Sequence, residues 1–182
     1  MTLRPWRSLG RHLVLGGAWL QAGTERFALP DGRTVDDFHW VEAGGWAMAA
    51  AVTAGGELVL ERCFKPGIGR VALVLPAGGV RSGERPLEAM RRELLEETGY
   101  ASDRWEPLGS FRLDPNYGVS TGHLFLAREA RRVAEPRSDD LEEIEVVTLG
   151  LDRALAALAS GEIATMGSAA ALGLAALALR RG

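Results

Sequence analysis

Cysteine and lysine each occur once in this 182-residue chain, as Cys63 and Lys65. A single thiol forms no internal disulfide, so the fold does not depend on an oxidising compartment and a cytoplasmic setting is expected. With no evident histidine partner and no metal-ligand spacing, Cys63 reads as a small buried residue. Excess charge is missing too: 21 basic residues, all but one of them arginine, face 24 acidic ones, for a formal net of −3. That balance lacks the basic footprint of a nucleic-acid binder, so no such partner is expected. Long apolar runs are scarce. The stretch MTLRPWRSLGRHLVLGGAWL has charges scattered through it and does not read as a signal peptide. The uncharged run from Ile163 to Leu179 has 17 residues, rich in Ala and Gly, and falls short of the ~20 predominantly apolar residues that span a bilayer. A buried or interface-packing helix is expected there, with a membrane anchor as the alternative.

What is present is the mix of an ordinary globule, 47% hydrophobic and 25% charged, in a length suited to one domain plus an appendage. Residues 1–43 read as short β segments, RHLVLGGAWLQAGTERFAL and RTVDDFHWVEA, around a Pro30-Asp31-Gly32 turn. These segments need a partner sheet. From Gly44 the runs become apolar: WAMAAAVTA, a Gly55-Gly56 turn, ELVLERCF, a Pro66-Gly67 turn and VALVLPAGG. PLEAMRRELLEETG then predicts a helix, with Leu87, Met90 and Leu94 at helical spacing, Pro86 in the first turn and Gly99 at the left-handed stop. Further strands, a DPNYGVSTG loop and two closing helical segments follow. Strands interrupted by a few helices predict an α+β layered domain over residues 44–182.

Glu93, Glu96 and Glu97 stand at i, i+3 and i+4, which puts three carboxylates on one helix face. Such crowding is costly unless a cation relieves it, and hard ions such as Mg²⁺ use carboxylates together with substrate phosphates. A solvated acidic face carrying Glu88–Arg92 and Arg92–Glu96 salt pairs is the plain alternative. The surrounding residues decide between them. From Gly78 to Tyr100 the chain reads GGVRSGERPLEAMRRELLEETGY, and it resembles the signature of the Nudix hydrolases, G-x5-E-x7-R-E-U-x-E-E-x-G-U, where U is bulky and apolar. Gly78, Glu84, Arg92, Glu93, Leu94, Glu96, Glu97 and Gly99 match, while Tyr100 replaces the aliphatic last residue. Eight such positions coincide by chance on the order of once in a billion starting points.

The resemblance implies a Nudix α/β/α sandwich with a mixed β-sheet and an N-terminal antiparallel β extension. It implies Mg²⁺ or Mn²⁺ as cofactor, with Glu93 and Glu97 as principal ligands and Glu96 as a further one. Arg92 is then a structural partner that orients a carboxylate, and Gly78, Glu84 and Gly99 shape the motif. Leu75-Pro76-Ala77-Gly78 resembles the LPAG turn of the family's nucleotide-sugar hydrolases and gives the Ala77 carbonyl a metal-binding role. Ions flanking a pyrophosphate neutralise its oxygens and activate water, so a group that orients or deprotonates that water is needed. In related ADP-ribose hydrolases it is a glutamate in a pattern like E-x-x-E-V. Glu142 matches best, with Glu143 as its nearest competitor and a solvated acidic loop as the alternative for both.

Features outside the signature point to the same subfamily. Pro115 follows it by fifteen residues, as in ADP-ribose hydrolases. Cys63-Phe64-Lys65-Pro66-Gly67 resembles their Q-Y-R-x-G stretch, with Lys65 in place of a substrate-facing arginine; its point charge lacks arginine's fork. Val74 also departs, standing where that subfamily has glutamate. The extension resembles one that builds a homodimer and contributes to the neighbour's nucleotide site. Trp40 and Trp46 are candidates for stacking an adenine, with packing as the alternative for each. His123 is expected to pack or to cap a hydrogen bond. The implied reaction is hydrolysis of ADP-ribose to AMP and ribose 5-phosphate. Another nucleotide sugar or a dinucleotide is the alternative substrate, and a nucleotide sensor without turnover the alternative class.

Overall fold

The computed structural model describes residues 3–137 and 143–181. Contacts divide the chain into two compact units: the N-terminal residues through Gly45 with Phe111–Thr121, and Trp46–Ser110 with the residues from Gly122 onward.

The first unit is an antiparallel sheet of β1 (Arg7–Gly16), β2 (Leu20–Ala28) and β3 (Thr34–Ala43), in that order. The Pro30-Asp31-Gly32 turn is closed by Leu29 N–H donating to the Arg33 carbonyl at 2.8 Å. Trp6, Phe27 and Phe38 pack edge to face with centroids 5.6–5.7 Å apart. Trp40 is buried, its indole N–H donates to the Thr24 carbonyl at 3.1 Å, and the Arg11 guanidinium lies 4.9 Å from its ring centroid. These contacts make Trp40 a packing residue of this sheet. Burial pushes the nearby Glu25 carboxyl up, but hydrogen bonds from Ser8 and Arg11 outweigh it and leave the pKa below its ordinary value. Phe111–Thr121 joins the unit through the backbone: Val41 N–H donates to Tyr117 and Ala43 N–H to Val119, at 3.2 and 2.7 Å.

The second unit is a three-layer sandwich. Its mixed sheet runs β11 (Glu145–Gly150), β5 (Glu57–Lys65), β4 (Trp46–Thr53), β10 (Ser120–Arg132), β8 (Tyr100–Ala101). Three further strands pair onto that path: β6 (Arg70–Val74) on β5, β7 (Ala77–Gly79) on β4, and β9 (Arg104–Leu113) on β10. β4 and β10 are parallel and central, and both faces of β4 are covered, which explains its unbroken apolar sequence. Successive side chains sort to opposite faces. Ala47, Ala49, Ala51 and Val59 meet Met90 and Leu94 of α1 (Pro86–Thr98). Met48, Ala50, Leu58 and Leu60 meet α2 (Leu151–Ala159) and α3 (Met166–Leu179). Each fully buried leucine here is worth about 1.5–3 kcal/mol.

The Ala-rich run folds as the buried helix expected, with Ala171, Leu172 and Ala175 fully inside. At ~1.5 Å per residue α3 is about 21 Å long, against a hydrocarbon core of about 30 Å. No helix among the described residues is long and apolar enough to cross a membrane.

Candidate active site

Two elements build the site, a strand that delivers backbone and a helix that delivers carboxylates. β7 runs antiparallel to β4, with Met48 opposite Ala77 and Ala47 opposite Gly78. α1 begins at Pro86 and stops at Gly99, whose φ is 74°. A Cβ on Gly99 would also lie 2.2 Å from the Ala134 carbonyl oxygen, so both conformation and space demand glycine. Met90 and Leu94 anchor the helix, and the residues one helical turn on from each, Glu93 and Glu97, reach the turn that carries Ala77 and Gly78.

The contacts there are close. A Cβ built on Gly78 would fall 2.0 Å from Glu93 Cδ, so only glycine lets this carboxylate lie against the turn. Glu97 Oε2 accepts the Ala77 N–H at 3.2 Å. Ala77, Gly78, Glu93 and Glu97 are therefore together. Arg92 clasps the loop to the helix: its Nε and Nη2 donate to the two Glu84 oxygens at 3.1 Å each, and Nη2 also reaches the Gly79 carbonyl at 3.2 Å. Its Nη1 donates to Glu93 at 2.6 Å and Glu96 at 3.2 Å. The Arg92 hydrogen bond, with one from the Arg81 backbone, holds the Glu84 carboxyl below its ordinary range, and the Glu84 contact in turn raises the Arg92 pKa. The Glu96 side chain is about half exposed, 46% against 13% for Glu93.

Glu61, which the sequence reading did not single out, also meets this cluster. It sits on β5 at 2% exposure and shares a hydrogen bond with Glu97, itself 9% exposed. Burial, then the charge and hydrogen bond of Glu61 and the charge of Glu93, push the Glu97 carboxyl up to about 10. Its signal was available: Val59 and Cys63, two positions either side of Glu61 on the same strand face, are both buried, and an acid in that phase has to point inward.

As the side chains stand, no group of three or more His, Cys, Asp or Glu among the described residues encloses a point for a metal ion. The donor chemistry nevertheless fits one. Glu93, Glu97 and the Ala77 carbonyl are hard oxygen donors brought to one turn, the set that Mg²⁺-like ions take. Burial is the main cause of the raised Glu97 pKa, and the like charges of Glu61 and Glu93 add to it.

Lys65 ends β5 on the strand face that carries Glu61 and Cys63, roughly 13 Å along the strand from Glu61. Trp46 lies on the β4 face that also carries Met48, opposite α1, with its ring against Gly122 and Gly167. Pro115 belongs to the first unit, in the Asp114–Gly118 turn. Glu142 lies outside the described residues. Glu143 is exposed and, with Arg62, Phe64, Val71 and Ile144, lines an open groove of about 780 Å³. His123 Nδ1 and Ser110 Oγ share a hydrogen bond at 2.8 Å, the plain role expected of it, and Cys63 is buried among Ala72 and Val74.

The site is thus a set of helical carboxylates brought to a strand-borne turn of an α/β/α sandwich. Comparison with known proteins supplies the family: the NUDIX domain model matches residues 45–163, and the chain belongs to the Nudix family. The "ADP-ribose pyrophosphatase" of Bacillus subtilis (strain 168) is 28% identical over 158 residues, covering 86% of this chain and 85% of that protein. The "CMP-5'-(N-acetyl-N-hydroxy-3-aminopropyl)phosphonate hydrolase" of Streptomyces rubellomurinus is 29% identical over 167 residues, covering 92% and 80%. A solved structure titled "Crystal structure of ADP compounds hydrolase" superposes with a TM-score of 0.85, covering 100% of this chain and 97% of that one. At 19% identity that likeness speaks for the fold alone.

Proposed function

We propose that this Nudix enzyme hydrolyses the pyrophosphate bond of ADP-ribose: water adds at one phosphorus, the bridging P–O bond breaks, and AMP and ribose 5-phosphate leave. The observation that carries this reading is the meeting of Glu93, Glu97 and the Ala77–Gly78 backbone at one turn. The Bacillus subtilis relative, similar along most of the chain, supports ADP-ribose as the substrate. Glu93, Glu97 and the Ala77 carbonyl would hold Mg²⁺ or Mn²⁺, with Glu96 as a further ligand. Bound there, the ion supplies charge neutralisation for the pyrophosphate oxygens and an activated water. Arg92 keeps the Glu84 loop and the Glu93 carboxylate in place, and Gly99 lets the helix end beneath them. Glu142 is assigned the orientation and deprotonation of water, Lys65 a phosphate or sugar oxygen, and Trp46 and Pro115 contacts to the substrate.

A second reading, a different nucleotide-linked substrate, is favoured by the Streptomyces rubellomurinus relative, whose name specifies a CMP-linked phosphonate. The full glutamate set argues against a sensor without turnover. A cytoplasmic homodimer completes the proposal. β1 is an edge strand exposed along its length, with Leu13, Val14 and Leu15 each more than half exposed, a surface that natural sheets normally cover.

The test offers purified protein a panel of nucleoside diphosphate compounds with Mg²⁺ or Mn²⁺ and follows phosphate monoester release. ADP-ribose should be cleaved fastest. Cleavage of another compound instead would overturn the substrate, and ligand-induced stabilisation without any turnover would overturn the activity. A monomeric mass in solution would refute the dimer.

A further inference from the structure

β5 puts a carboxylate where an apolar side chain would complete a layer. Val59, Glu61 and Cys63 share the face turned to α1, where Val59 packs against Met90 and Leu94. The strand registers set Glu61 opposite Val74 of β6 on one side and Val146 of β11 on the other. Burying an acid among such neighbours costs desolvation that a valine or leucine would avoid. The Glu97 carboxylate gains from that cost. It is held from two directions, by the Ala77 N–H at 3.2 Å from the turn and by Glu61 from the sheet.

We propose that Glu61 is a positioning residue for Glu97: its hydrogen bond from β5 fixes the Glu97 carboxylate beside the Ala77 carbonyl and Glu93, ready for a divalent ion. The proposal rests on Glu97 being a metal ligand. Partners that orient metal ligands in this way typically change metal affinity 10–100-fold when removed. Glutamine at 61 retains a hydrogen-bond donor for Glu97 and close to the same volume. Leucine retains the volume and removes the hydrogen bond.

The experiment compares wild-type protein, Glu61→Gln and Glu61→Leu. Mn²⁺ affinity is read from the spin-resonance signal of free Mn²⁺, folding from the melting temperature in EDTA, and kcat and KM from turnover. Glu61→Gln is expected to bind Mn²⁺ within about threefold of wild type. Glu61→Leu should lose about 10–100-fold in Mn²⁺ affinity and lose kcat more than KM, while its metal-free melting temperature equals or exceeds that of wild type. Wild-type affinity in Glu61→Leu would overturn the proposal by making Glu61 a space filler. An equal loss in Glu61→Gln and Glu61→Leu would also overturn it, by making Glu61 a ligand in its own right. If Glu61→Leu does not fold, Glu61→Met is judged by the same criteria. Failure of the underlying reading is visible separately, as wild-type protein that binds no Mn²⁺, and it removes this proposal as well.

Discussion

Stripping divalent ions from the protein should make its stability fall as pH rises through neutrality. Glu97 has an ordinary value of 4.5 and stands at about 10 in the folded chain. Between those values the folded protein holds a proton that the unfolded chain has released, so the contribution is complete below about 4.5 and gone above about 10. Within the window the loss approaches about 1.4 kcal/mol per pH unit, or roughly 3–5 °C in Tm per unit for a chain of this size. A divalent ion would bind with that proton held by Glu61 as the donor to the Glu97 carboxylate, and its binding would raise the whole curve. The assay is a set of thermal melts from roughly pH 6 to 9, inside that window, in EDTA and in Mn²⁺. Wild type is compared with Glu61→Gln/Glu97→Gln, which removes both carboxyls and cancels the titration of every other group. The reasoning is refuted if the EDTA difference between wild type and double variant stays flat across that range.

Other perturbations test separate parts of the site. Gly78→Ala would place a Cβ 2.0 Å from Glu93 Cδ, so Mn²⁺ affinity should drop about tenfold or more; unchanged affinity would remove the close approach from the argument. Gly99→Ala meets both a φ of 74° and the Ala134 carbonyl, and denaturant melts should show a loss of about 1–3 kcal/mol. A stability equal to wild type would show that the helix end is not constrained. Glu142→Gln should lower kcat by about 100-fold or more while Mn²⁺ affinity is kept, and an unchanged kcat would move the base to Glu143 or elsewhere.

The parts of the site that were legible in sequence are those whose geometry is local. Glu93 and Glu97 are related by one helical turn, and Gly99 and Pro86 bound that helix through their own backbone preferences. The Pro30-Asp31-Gly32 turn and the apolar runs gave the strands for the same reason. The long-range pieces were not legible. Glu61 lies thirty-six positions before Glu97; its phase with Val59 and Cys63 marks it as inward-facing, but its meeting with Glu97 depends on how the helix packs on the sheet. The joining of Phe111–Thr121 to β3 rests on backbone hydrogen bonds, which leave no mark in residue identity.

The most direct measurement is the release of AMP from ADP-ribose by wild-type protein and by Glu97→Gln, each with Mg²⁺ and again with EDTA. The account predicts AMP and ribose 5-phosphate in equal amounts from wild type with metal, almost none with EDTA, and a rate lower by about a hundredfold or more in the folded variant. Equal rates for wild type and Glu97→Gln, or product formed as fast in EDTA as in Mg²⁺, would contradict it.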